Sequence, residues 1–180
     1  MPLTVKDLEK VQEQLPNHRM ELVEGEIILM SPSSYESDEV STRISTFVGA
    51  WVIPRSLGRV TGSSAGFILP NSDTRAPDVS FVLADRLPRS PRSFAELAPD
   101  LMVEVKSPSD RSEKLRTKIQ DFLAQGTQVG LLVNPEDRTV EIHRLDQKTE
   151  ILRDGDLLTV PELLPGWEVP VVELWAPEFG

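Results

Sequence analysis

Leu101-Met102-Val103-Glu104-Val105-Lys106 is the stretch on which the reading of this chain turns. Its apolar, β-favouring run leaves through Ser107-Pro108, which marks it as a short strand. Successive strand residues point to opposite faces, so Leu101, Val103 and Val105 share one face and Met102, Glu104 and Lys106 the other. An acid and a lysine thereby become neighbours on one surface. Alone, such a Glu-x-Lys pair is what the solvent face of any half-buried strand carries.

Just upstream, Pro77-Asp78 opens a second expected strand, Val79 to Leu83. If the two strands are adjacent, Asp78 comes to lie beside Glu104. Two carboxylates at ~4 Å and an effective dielectric of ~20 repel by about 4 kcal/mol, so a cation is their natural companion. Mg²⁺, with Mn²⁺ as the substitute, takes octahedral oxygen ligands and keeps several waters. Asp78, Glu104, the backbone carbonyl of Val105 and a phosphate oxygen would suit it. A water acidified by such an ion can attack phosphorus in line. Lys106 would orient that water or stabilise the charge that develops on the phosphorane.

Working outward, a helix is expected from Asp110, capped by Asp110 with Glu113, with Leu115, Ile119, Phe122 and Leu123 inward until Gly126 ends it. A strand over Gln128 to Val133 follows, so Leu101 to Val133 forms a crossover whose two strands run parallel. Asn134 to Asp137 turns the chain into an antiparallel strand, Thr139 to His143. Upstream lie a helix from Val5 to Gln14 with a Thr4/Asp7 capping box and a hairpin from Met20 to Met30 about Glu24-Gly25. A helix from Glu36 to Val52 follows, then short strands at Arg59 to Thr61 and Gly66 to Leu69. Glu150 to Leu152 and Leu157-Leu158 suggest a small hairpin, after which Trp167 and Trp175 fill core edges. The fold class is α/β of the mixed α+β kind, a central mixed sheet flanked by helices, expected as one domain over residues 1–180.

Composition narrows the chemistry. With no cysteine in 180 residues, thiolate metal sites, disulfides and thiol nucleophiles are excluded, and the two histidines, His18 and His143, have no partners nearby in sequence. The glycines near Gly62 lack the pattern of a phosphate loop, and no G-x-S-x-G elbow supports a serine hydrolase. No apolar run approaches a membrane span and the N-terminus lacks a signal-like segment, so no membrane partner and a cytoplasmic location are expected. A net charge of −10 disfavours non-specific adhesion to DNA, so any nucleic-acid contact needs a local basic surface. Arg86, Arg89 and Arg92 before the Leu101 strand, and Arg111, Lys114, Arg116 and Lys118 after Lys106, are the candidates for it.

At Pro77-Asp78 and Glu104-Val105-Lys106 the chain resembles the PD-(D/E)XK nuclease superfamily. The resemblance continues through Glu21 to Glu26, Met30-Ser31-Pro32, Gly66 to Pro70, Pro99 to Asp110, Lys118, Gly126, Val133-Asn134-Pro135 and Leu164-Pro165-Gly166. Together these segments look like the large bacterial family called putative restriction endonucleases. The resemblance implies a restriction-endonuclease-like fold and a Mg²⁺-dependent endonuclease acting on nucleic acid, with DNA the expected substrate. It also implies Asp78, Glu104 and Lys106 as catalytic residues. A further glutamate often joins such sites, and Glu39, then Glu36, then Glu24 are the candidates, although the histidine many members carry after Ser-Pro is missing from Ser33 to Glu39. A homodimer is expected, because a small acidic chain would cover a duplex better as a two-fold pair. The alternative is an inactive nuclease-fold module acting in binding or dimeric assembly.

Overall fold

The structure, a computed structural model, describes all of residues 1–180. Helix α1 (Val5–Gln14) opens with the reciprocal Thr4/Asp7 box, and the hairpin of β1 (Arg19–Val23) and β2 (Glu26–Met30) turns at Glu24-Gly25, where Gly25 has φ +78°. Helix α2 (Tyr35–Val52), β3 (Gly58–Thr61), β4 (Phe67–Ile68) and β5 (Thr74–Arg75) lead to β6 (Val79–Leu83) and β7 (Leu101–Val105). Helix α3 (Ser112–Ala124) then crosses to β8 (Val129–Asn134), followed by β9 (Thr139–His143), β10 (Glu150–Leu152), β11 (Leu157–Leu158) and β12 (Val169–Pro170).

Six strands form a mixed sheet in the order β10-β9-β8-β7-β6-β3, in which only the β7–β8 pair is parallel. That parallel pair is the crossover expected from Leu101 to Val133. A second, antiparallel sheet has the order β2-β1-β5-β4, and β11 pairs with β12. The expected hairpin between Glu150–Leu152 and Leu157-Leu158 does not form. Each segment is too short to stand alone and pairs elsewhere, β10 with the edge of β9 and β11 with β12.

Period-two alternation sorts the central strands onto two faces. Leu101, Val103 and Val105 of β7, with Val79 and Phe81 of β6, pack on Val40, Ile44, Val48 and Val52 of α2. Their opposite numbers, Met102 of β7 and Val82 of β6, pack on Ile119, Phe122 and Leu123 of α3. Each fully buried aliphatic or aromatic side chain contributes about 1.5–3 kcal/mol, so both helices are held chiefly by these stripes. Trp167 and Trp175 are buried in the α2-side core. Because Glu104 falls on the even-numbered face, it points toward α3.

Helix α3 starts at Ser112 rather than Asp110, and its N-cap, Arg111, makes no side-chain cap bond. Asp110 is drawn back into the turn after Lys106, its carboxylate accepting from the Ser107 N–H at 2.8 Å and its own N–H donating to the Ser107 carbonyl at 3.0 Å. Gly126, with φ +113°, ends the helix as expected.

Gly130 sets how closely α3 approaches the sheet, since a Cβ placed there would lie 2.5 Å from Cγ2 of Ile119. Gly130→Val should therefore lower the unfolding free energy by about 1–3 kcal/mol through overpacking. Urea denaturation checks this; an unchanged midpoint would mean that α3 shifts freely.

Candidate active site

Asp78 precedes β6 by one residue, yet it continues the ladder. Its N–H donates to the Val103 carbonyl at 3.0 Å, and its Oδ2 accepts from the Val105 N–H at 2.7 Å. The β6–β7 register ends at Val79 and Val103, and Asp78 and Glu104 are the next residues beyond it. Directly opposed residues of an antiparallel pair project from the same face with Cβ atoms about 4.5–5.5 Å apart. The structure thus brings Asp78 and Glu104 together on the α3 face.

A third acid arrives from the second sheet. Strand β5 pairs with β1 at Thr74 and Leu22 and runs through Ala76-Pro77 into Asp78, so the β1 residue Glu21 is carried to the same place. Glu21 Oε1 accepts from the Ala76 N–H at 2.9 Å, and Oε2 lies 3.6 Å from Nε of Arg75. Glu24, Glu36 and Glu39 do not join. Glu24 and Glu36 are exposed, and the α2 residues that reach the site are Ser37 and Ser41, one turn apart. Glu39, half a turn from both, is directed elsewhere.

The cation among these acids is Lys118 of α3. Its Nζ lies 3.0 Å from Glu21 Oε1, 3.0 Å from Glu104 Oε1 and 3.1 Å from the Ala76 carbonyl. Lys118 is only 7% exposed, so the expected role as a surface phosphate contact does not hold. The geometry toward Glu21 is that of a hydrogen bond. Toward Glu104 it is an ion-pair distance without hydrogen-bond alignment, and Oε1 of Glu104 is left buried with no donor. Lys106 touches neither carboxylate; its Nζ rests 3.3 Å from Glu136, whose side chain is 75% exposed, and 3.4 Å from the Ser107 carbonyl.

Sequence reasoning missed Glu21 and the burial of Lys118. One readable signal existed: Lys118 lies three residues after Leu115 and four before Phe122, on the apolar stripe of α3, where a charge implies a buried partner. Glu21 carried no comparable signal, because its burial depends on β1 meeting β5.

Other basic candidates are placed differently from expectation. Arg86, Arg89 and Arg92 lie in the connection joining the far ends of β6 and β7, about 17 Å from Asp78 at ~3.4 Å per strand residue. Arg86 is bound to Asp100 at 2.8 Å. Arg116 pairs with Glu113 and Glu141, while Arg111 and Lys114, at the site end of α3, are exposed.

Burial, opposed by Lys118 and reinforced by Asp78, pushes the Glu104 carboxyl up to about 8. Burial also raises Asp78, against the Val105 N–H that lowers it. Glu21 moves the other way, because Lys118, the Ala76 N–H and Arg75 together outweigh its own desolvation. Despite its burial, Lys118 is raised by Glu104 and Glu21. The arrangement keeps Glu21 and Lys118 as an ionised pair and draws Glu104 toward its protonated form.

A family model for Uma2, described as "Putative restriction endonuclease", matches residues 5–172. The chain belongs to this family. Among solved structures it is similar to a protein from Anabaena variabilis ATCC 29413 described as a putative nuclease belonging to DUF820. The two are 25% identical with a TM-score of 0.84, over 96% of this chain and 97% of the other. No curated protein matches the chain. Family membership and the shared mixed sheet bear out the resemblance and the fold class read from the sequence.

A carboxyl whose pKa is raised on folding binds its proton more tightly in the native state, so its contribution is complete below the unfolded value of 4.5 and is lost as pH rises through about 8. Stability in metal-free buffer should thus fall from pH 5 to pH 8, and Glu104→Gln should abolish that slope and raise the melting temperature at pH 8. Thermal melts across this range decide it; a flat profile in the parent protein would refute the protonated Glu104. Lys118→Met should cost about 3–5 kcal/mol, because Glu21 would be left buried with only the more distant Arg75 as ion-pair partner.

Proposed function

We propose that this protein is a divalent-cation-dependent nuclease of the PD-(D/E)XK type that hydrolyses phosphodiester bonds, with DNA as its substrate. The observation that carries the reading is the pair Asp78 and Glu104, two buried carboxylates on neighbouring strands, each with its pKa raised and Glu104 further raised by Asp78. Membership of the restriction endonuclease family and the likeness to the Anabaena nuclease support the same chemistry.

No group of three or more Asp, Glu, His or Cys side chains is arranged to hold a metal ion, so a site here would rest on two carboxylates and backbone or water oxygens. Two carboxylates with a backbone carbonyl fit Mg²⁺, which dehydrates reluctantly and keeps waters, better than they fit Zn²⁺ or Ca²⁺. Glu104 Oε1, which lies 3.0 Å from Lys118 Nζ without an aligned hydrogen bond, is the acceptor that would be shared with such an ion. Asp78, Glu104 and the Val105 carbonyl would hold Mg²⁺ or Mn²⁺, which when bound supplies an acidified water and offsets phosphate charge.

The chain's own groups account for the rest. Lys118, fixed by Glu21 and the Ala76 carbonyl, holds Glu104 toward Asp78. Lys106 is held by an exposed glutamate, a pairing worth about 0–1 kcal/mol, and by a long contact to the Ser107 carbonyl, so it can swing to the attacking water or the pentacovalent phosphate. Exposed Arg111 and Lys114 stand ready for the phosphate backbone. We place all of this in one domain spanning residues 1–180 that acts as a homodimer. No helix is long and apolar enough to cross a membrane.

Asp78→Asn and Lys106→Met should each reduce Mn²⁺- or Mg²⁺-dependent cleavage of DNA by at least 100-fold, on the order of a lost transition-state contact. Only Asp78→Asn should also weaken ion binding measured by calorimetry. Cleavage that survives both changes, or a parent protein that binds no divalent ion at millimolar concentration, would instead favour an inactive module.

A further inference from the structure

Beside the carboxylates runs a groove of about 630 Å³. Asn17, His18 and Arg19 form one bank, Ser33, Ser34 and Tyr35 the other, and Asp38 is its one acid. It continues into a second hollow of about 300 Å³ that shares Asn17, His18 and Arg19 and reaches Glu21, Arg75 and Ala76. Arg19 is close enough for its charge to favour ionised Asp78. The α2 bank is tied to the end of β7 by Ser37 Oγ, 3.0 Å from Oγ of Ser107. The groove therefore leads to Glu21, the acid that shares Lys118 with Glu104.

Most cations around the site are already engaged. Lys106 is paired with Glu136, Lys118 with Glu21 and Glu104, and Arg75 with Glu21 and Asp121. A duplex presents one negative charge per ~1.7 Å of axis and is held mainly by Lys and Arg on its two backbones. Apart from Arg19, only Arg111 and Lys114 beside the site remain exposed and outside ion pairs, fewer than the two backbones of a duplex call for, on a chain of net charge −10. The groove offers Arg19, which donates to the Ser63 carbonyl but is in no ion pair, for one phosphate and, on its rim, Tyr35, which is 88% exposed. A base can stack on an aromatic ring only when it has left its duplex neighbours.

We propose that the substrate is a single strand, held in this groove with a base stacked on Tyr35 and a phosphate on Arg19. The inference rests on the nuclease reading and names its substrate class. It also explains how an acidic protein can engage nucleic acid: stacking works on any base face and depends less on salt than phosphate pairing does.

Tyr35 is the chain's one tyrosine, so protein labelled with ¹³C-tyrosine reports this residue alone. An oligo-dT strand and a blunt duplex of equal length are titrated in EDTA, where divalent-dependent cleavage cannot proceed. The expected result is a shift of the Tyr35 ring signals with the single strand only, and a loss of affinity of roughly tenfold or more in Tyr35→Ala that Tyr35→Phe restores. Duplex bound as tightly as the single strand, no binding of the single strand, or unchanged affinity in Tyr35→Ala would overturn the inference. Single-strand binding at Tyr35 without divalent-dependent cleavage would leave this site standing and remove the nuclease reading. Cleavage indifferent to Tyr35→Ala would do the reverse.

Discussion

One buried ammonium ties the molecule together. Lys118, on the helix that crosses between the two parallel strands, meets Glu21 from the small sheet, Glu104 from the central sheet and the Ala76 carbonyl from the link between them. An ammonium this deep would be costly alone, and three oxygens around it recover much of that cost. The same contact fixes how the two sheets meet, because Ala76 also donates to Glu21 and leads directly into Asp78. Without this junction Asp78 would still follow the ladder of β6, but Glu21 and Arg75 would have no reason to face it.

Two polar clusters lie on the α3 face of the central sheet, and their contrast is instructive. Around β9, Arg116 binds Glu141 with Nε at 3.0 Å and Nη2 at 2.6 Å, and His143 Nε2 sits 2.8 Å from the same carboxylate. Hydrogen bonding to Arg116 is the largest influence on Glu141 and holds it below its usual range. Every acceptor of that carboxylate is occupied, as expected of a polar group that stabilises a sheet face. Glu104, on the same face two strands away, has only the Lys118 ammonium, which it shares with Glu21, and a raised pKa. Buried acids with strongly raised pKa values cluster at functional sites.

Much of this was legible in the sequence where short-range rules decide. The Thr4/Asp7 box, the Glu24-Gly25 turn, the bounds of α2 and the parallel crossover follow from capping, glycine and periodicity. The pairing of Asp78 with Glu104 was legible because strand alternation and the family motif agree on it. Illegible were matters set by tertiary register. Whether Glu150 to Leu152 pairs with Leu157-Leu158 or with β9 depends on competing edges that the local residues do not distinguish. Similarly, the Glu21 contribution arises from one contact between β1 and β5, and α3 loses its expected cap because Asp110 is claimed by the turn at Ser107. Proximity in sequence also misplaced the arginines of the β6–β7 connection, since two antiparallel strands put their loop at the end opposite Asp78.

Charge counting at the junction gives the last constraint. Asp78, Glu21 and Glu104 bring three potential negative charges, Lys118 and Arg75 two positive ones, and Arg75 is shared with Asp121. The enclosed group is short of at least one positive charge. Inside a medium of effective dielectric ~20, a surplus charge 4 Å from its like costs about 4 kcal/mol, so the group must acquire either a proton or a cation. Burial selects Glu104 for the proton because it is the acid with the fewest donors, whereas Glu21 keeps the ammonium and Asp78 keeps the Val105 N–H. In the proposed nuclease, Asp78 and Glu104 would hold a divalent ion in place of that proton, leaving the Glu21–Lys118 pair intact. The sheet junction can thus remain fixed in both states, with Glu104 the group that changes its occupant.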